Sequence, residues 1–136
     1  MFALAREMVG VELTGWLSSD AVQARMADAW SLLVPSIVAS DGDIEGLPSV
    51  VPEAMAQGCV VIGSNEGGIT EVIRDGINGL LVRPNDAAAL SNAMMRVLEP
   101  ALRHELSLAA FHAVGTTLNA GIQSKELEDL LLATFV

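Results

Sequence analysis

Three short apolar runs, SLLV at 31–34, CVVIG at 59–63 and GLLV at 79–82, each stand beside Ser, Pro or Gly and are separated by stretches with helical character. Runs apolar at every position suit strands covered on both sides, which is the habit of parallel sheets. The chain therefore reads as an α/β protein with a Rossmann-like parallel sheet. Most of the Gly, Pro and acidic residues that a binding site would need are gathered in residues 41–71, DGDIEGLPSVVPEAMAQGCVVIGSNEGGITE. Within that stretch Glu45 and Glu53 are separated by seven residues. The first lies in a polar Gly/Pro turn, and the second heads the apolar-patterned segment PEAMAQG. A second glycine turn, NEGGITEVI, opens another helix near Ile69. Two successive strand-end or helix-start loops thus face one side of the sheet. In open α/β sheets ligands lie in the crevice beyond the carboxyl ends of the strands, where free backbone N–H groups favour anions. A phosphate-bearing ligand is the natural occupant.

Along the chain, residues 2–9 read as the end of a helix and VELTG at 11–15 as a short strand. An opening in half a helix suggests an internal or mis-called start at Met1. SSDAVQARMADAW offers Ser18 or Ser19 as N-cap, Asp20 in the first turn, and Val22, Met26, Ala29 and Trp30 near helical spacing. A helix is expected over 53–58, with Gly58 as its C-terminal cap. Pro52 is best tolerated at a first helical position and Val51 should resist helix, which leaves the onset open. Asp75-Gly76 and Asn78-Gly79 bracket the strand GLLV as scaffold turns. Asn85 or Asp86 caps a helix over 87–98, and Pro100 breaks it before a helix over 101–114. SKELEDLLLATF reads as a last helix with Ser124 as cap.

The length of 136 residues suits one domain, and an apolar fraction of 51% excludes disorder. A net charge of −10 argues against nucleic acid and anionic membrane as partners. The single Cys59 permits no internal disulfide, and its place at a strand start marks a buried structural thiol. Arg6 and Glu7 interrupt any apolar leader segment, and no run approaches a membrane span. The cytoplasm is the default location, with peripheral membrane association of the full protein left open. His104 and His112 have no carboxylate or Cys at ligand spacing, so no metal motif is present and no cofactor is implied. Ser36 and Ser49 lack a nucleophile elbow, and no phosphate loop ending in Lys-Ser/Thr occurs.

The segment 41–82, with the preceding LLVPS, resembles the signature region of bacterial retaining glycosyltransferases of the GT4 type. The Glu pair, EG-P, EAMA-G, GGI-E and DG-NGLLV stand in order over about forty residues. Such enzymes have the GT-B fold, two Rossmann-like domains facing across a cleft. The resemblance implies that residues 1–136 are the later part of the second, donor-binding domain, and that the acceptor is held by an absent N-terminal domain. It also implies a nucleotide diphosphate sugar as donor, and a glycan or lipid-linked glycan as acceptor. Glu45 would lie at the reacting face of the donor sugar, beside Gly46, Leu47 and Pro48. Glu53 would accept hydrogen bonds from the ribose diol, which a carboxylate's two oxygens suit. Ser36 would lie near the phosphates, and Gly67 and Gly68 would let backbone N–H groups approach the diphosphate or sugar. Glu71, in the first turn of the next helix, would also take part in substrate binding, with an ordinary dipole-favoured acid as the rival reading. Thr70 replaces a proline common in the family and should loosen the turn.

Family members draw Lys and Arg from an earlier segment and a His from the first domain, and none of these is here. Arg74 and Arg83 are the nearby cations, and both read as surface residues. A non-catalytic remnant or interaction module of the same fold is the rival function, with a nucleotide-sugar epimerase as a third. For the complete domain the resemblance implies strand order 3-2-1-4-5-6. This chain should then contract to a four-stranded parallel sheet in the order 11–14, 32–35, 60–63, 80–82, followed by C-terminal helices.

Overall fold

A computed structural model of the chain describes residues 9–36 and 46–117. Helix α1 (Ser19–Asp28) leads into strand β1 (Ser31–Val34), and α2 (Val50–Ala56) into β2 (Val60–Ser64). The short α3 (Ile69–Val72) and β3 (Leu80–Val82) follow, and then α4 (Ala87–Val97) and α5 (Pro100–Thr117). Among the described residues the sheet is three-stranded and parallel in the order β1-β2-β3, with Leu33 opposite Ile62 and Ile62 opposite Leu80.

Every residue of β2 is buried, whereas β1 is half-buried throughout. Alternation along β2 feeds two cores. Val61 joins Met26, Val51, Met55, Ile69, Ile73 and Ala110 on one face. Val60 and Ile62 join Leu80, Val82, Ala93, Val97 and Leu106 on the other. Helix α5 contributes to both cores, through Ala110 and Leu106. Full burial of side chains such as Ile62 and Met55 stabilises the fold by about 1.5–3 kcal/mol each.

The expected strand at 11–14 does not form. Val11 and Leu13 are both 44% exposed, and the segment has no regular structure. In a sheet covered on both faces, a V-E-L-T strand would drive Glu12 under a helix. Glu12 instead accepts two 2.9 Å hydrogen bonds from the Arg25 guanidinium of α1. These bonds, and then the guanidinium charge, hold the Glu12 carboxyl below its ordinary range. The expected helix at 53–58 begins three residues earlier, at Val50. Pro52 is thus its third residue, where the missing N–H would have had no intrahelical acceptor, and the first helical hydrogen bond runs from Glu53 N to Ser49 O at 3.3 Å. Val51 is helical despite preceding proline, and its side chain is fully buried.

Caps follow the sequence closely. Ser18 Oγ accepts from Ala21 N, and Asp86 accepts from Ala89 N at 2.8 Å. Ala29 and Trp30 lie beyond the end of α1 and are exposed. Glu99 accepts from Ala101 N at 3.1 Å; α4 ends at Val97 as expected, and Pro100 itself takes the first position of α5, where its missing N–H costs no helical bond. Gly58 ends α2 with φ +74; Gly58 N donates to Met55 O and Cys59 N to Ala54 O, the paired bonds of a left-handed C-terminal cap. The turn 74–79 is held by Asn78, which accepts from Arg74 N at 2.6 Å and donates to Val72 O at 2.9 Å. Asp75 accepts from Leu81 N at 2.9 Å. Cys59 is 1% exposed, and burial pushes its thiol up to about 11, so it stays protonated at neutral pH. The SKELEDLLLATF helix and its Ser124 cap lie outside the described residues.

Gly58 also meets α5, whose Ser107 hydroxyl donates to Gly58 O at 2.7 Å. A Cβ there would lie 3.1 Å from Ser107 Oγ on a backbone that L side chains rarely adopt. Gly58→Ala is therefore expected to cost about 1–3 kcal/mol, seen as a lower urea midpoint with an unchanged m value.

Candidate functional site

Parallel strands deliver their carboxyl ends to one edge. Ser36 follows β1, the Ser64–Gly68 turn follows β2, and Arg83 follows β3. Ser36 is half-buried, with its N–H donating to Val34 O at 2.9 Å. Glu45 lies outside the described residues. Gly46 is exposed, while Leu47 and Pro48 are half-buried and Leu47 packs on the first core. Val51 N donates to Pro48 O at 3.0 Å, which ties this loop to the start of α2 and sets Glu53 one turn further on. The Glu53 side chain is half-buried.

The two glycine turns meet backbone to backbone. A Cβ on Gly68 would overlap Leu47 N and come within 2.8 Å of Gly46 C and Leu47 Cα. Gly68 is glycine because another main chain occupies the place of its side chain. Gly67 has φ +58, and its carbonyl accepts from both Thr70 N at 3.2 Å and Thr70 Oγ1 at 2.9 Å. Thr70 thus closes this turn where it was expected to loosen it. A hydroxyl returning to a carbonyl three residues back substitutes for the rigidity of a proline ring.

The expected site residues do not all converge. Gly46, Leu47, Pro48, Gly67 and Gly68 form one unit, with Glu53 on the helix that leaves it. Glu71 is exposed and lines a cavity of about 320 Å³ between α3 and α5, with Arg74, Asn78 and His112. His104 lines another cavity at the far end, near Trp30 and Gly58. Sequence reasoning missed a crevice of about 240 Å³ just past the strand ends, lined by Pro35, Ser64, Val82, Arg83, Asn85 and Asp86. Arg83 makes no ion pair among the described residues. Its signal was its position directly after GLLV, since a residue leaving a parallel strand emerges at the ligand edge. Among the described residues no group of three or more His, Cys, Asp or Glu side chains could hold a metal, and no helix is long and apolar enough to cross a membrane.

A parallel sheet covered on both faces, with glycine turns joined at its carboxyl edge, defines a Rossmann-like domain of the kind found in GT-B glycosyltransferases. Residues 3–112 match the family of glycosyl transferases group 1, and the chain belongs to that family. It is 34% identical over 122 residues to the amylovoran biosynthesis glycosyltransferase AmsK of Erwinia amylovora, covering 89% of this chain and 30% of that protein. Among solved structures it resembles a sucrose-phosphate synthase from Thermosynechococcus elongatus, with a TM-score of 0.80 and 31% identity over 98% of this chain and 34% of that one. It also resembles Anabaena HepE, solved in complex with UDP, with a TM-score of 0.65 and 25% identity over 78% of this chain and 28% of that one. The chain spans about a third or less of each of these relatives.

The contact between the turns generates a direct test. Gly68→Ala forces the 46–47 and 67–68 turns apart and is expected to cost about 2–4 kcal/mol, the range of a side chain driven into packed backbone. Chemical-shift changes should concentrate at 46–48 and 67–71, and a variant as stable as the parent would contradict the contact.

Proposed function

We propose that this chain is the donor-binding part of a retaining, GT4-type glycosyltransferase that moves a sugar from a nucleotide diphosphate sugar to a glycan or lipid-linked acceptor. The observation that carries this reading is the backbone contact of Gly68 with Gly46 and Leu47 at the carboxyl edge of the sheet. Two side-chain-poor turns clamped together offer a ligand a fixed bed of main-chain groups, and fixed dipoles need no reorganisation as charge develops. The family membership and the UDP complex of HepE support the same ligand class. Glu53 receives the ribose diol, the 46–48 and 67–68 turns receive diphosphate and sugar, Ser36 stands near the phosphates, and Glu45 acts at the reacting face. Glu71 is the outlying member, since it borders the separate cavity. A further domain of a longer protein holds the acceptor, and that protein works in the cytoplasm, with membrane contact only at the surface.

Roles divide by when each contact is made. Glu53 touches ribose in both ground and transition states, whereas Glu45 acts where charge develops on the sugar. In a completed protein Glu53→Gln is expected to weaken nucleotide binding about tenfold, and Glu45→Gln to lower kcat about tenfold or more, each losing a charge-assisted hydrogen bond. Unaltered donor affinity in Glu53→Gln would sink the assignment.

The chain by itself carries a charge of −10, and among the described residues Arg83 is the cation at the ligand edge. Calorimetric titration with nucleotide sugars is therefore expected to show binding weaker than micromolar and no transfer. A micromolar dissociation constant would refute that expectation, and complete absence of binding in the completed protein would favour the non-catalytic remnant.

A further inference from the structure

Among the described residues one buried side-chain polar atom has no hydrogen-bond partner, and it is Oε2 of Glu66. A carboxylate oxygen withdrawn from water without a donor is costly, and native proteins keep few such groups. Glu66 immediately precedes Gly67 and Gly68, in the turn that leaves β2 at the carboxyl edge. Its backbone is pinned on both sides. Asn65 N donates to Val82 O and Glu66 N to Ser64 O, both at 2.8 Å. Beyond it the Gly67 carbonyl is bonded twice by Thr70, and Gly68 is pressed against Leu47. Glu66 as a whole is half-buried, and its backbone is fixed by the same turn that joins the two glycine loops.

We infer that Glu66 is a specificity-determining residue that accepts hydrogen bonds from hydroxyls of the donor's transferred sugar; this rests on the donor-site reading above. An ionised carboxylate only accepts hydrogen bonds. A diphosphate also only accepts, and shares its sign, so Glu66 repels that part of the ligand. The ribose diol is matched by Glu53. The remaining part of a nucleotide sugar rich in O–H donors is the sugar ring, and a sugar seated on the Gly67–Gly68 turn lies beside residue 66. A buried acceptor built for a substrate hydroxyl also rejects analogues lacking it, because the acceptor is then left bare.

The test compares UDP with UDP-glucose as probes, using ligand-observed NMR at millimolar ligand on the 136-residue chain, together with urea unfolding of the same samples. Glu66→Gln is expected to weaken UDP-glucose about tenfold, to leave UDP unchanged, and not to lower the urea midpoint, since its buried oxygen has no hydrogen-bond partner to lose. Glu53→Gln is expected to weaken both ligands. If Glu66→Gln binds both ligands as the parent does while Glu53→Gln weakens both, this inference is overturned and the donor reading stands. Equal weakening of UDP and UDP-glucose by Glu66→Gln, or a lowered midpoint, also overturns it, because Glu66 would then serve the nucleotide or the turn. If the parent chain binds both probes and Glu53→Gln changes neither, the donor reading falls and takes this inference with it.

Discussion

The structure depends on β2 being apolar on both faces. Its five residues are buried between two neighbouring strands and beneath helices on either side. A strand with that surface demands two covered faces, two covered faces demand crossover helices, and crossovers make the strands parallel. Every strand-to-helix loop then emerges at one edge. Core packing thus brings the 46–48 and 67–68 turns to one edge, and the absence of a Cβ at Gly68 lets them touch.

Two glycines let α3 lie close on this sheet. A Cβ on Gly63 would stand 2.8 Å from Ile69 Cγ2, and one on Gly79 would stand 2.9 Å from both Ile73 Cγ2 and Val61 O. Ile69 and Ile73 are each 1% exposed and flank a helix of only four residues, too short to hold itself. Their burial anchors that helix, and with it the turn before it. The turn owes its position to side chains buried in the core.

At the amino edge of the sheet helix α5 ties several elements together. Arg103 of α5 donates to Val97 O at 3.0 Å, at the end of α4, while its guanidinium lies 4.4 Å from the Trp30 ring centroid ahead of β1. Ser107 reaches Gly58 O at the end of α2. The cation–π contact and the neutral Ser107 bond are each worth about 1 kcal/mol and the charged-donor bond of Arg103 about 1.5 kcal/mol or more, enough for one helix to gather the ends of three elements. The Arg25–Glu12 pair is exposed by comparison, and water screens it.

Periodicity and local chemistry were sufficient for much of this. The apolar runs at 31–34, 59–63 and 79–82 specified parallel strands, because a run without a polar face can only be buried. Ser18, Gly58, Asp86 and Pro100 marked helix ends through their own backbone preferences. Tertiary structure decided what depends on a partner. VELTG alternates as a strand should, yet without a place for Glu12 in a two-sided core it stayed unpaired. Pro52 left the helix onset open, and Val51 packs in the core of a helix that begins at Val50. The EG-P and GG signatures pointed to the carboxyl edge of the sheet, but not that Gly68 leaves room for Leu47, nor that Arg83 and Ser64 border a crevice there. The unpaired oxygen of Glu66 left no trace in the sequence. Burial and hydrogen bonding are relations between distant residues, and a sequence shows only one side of each.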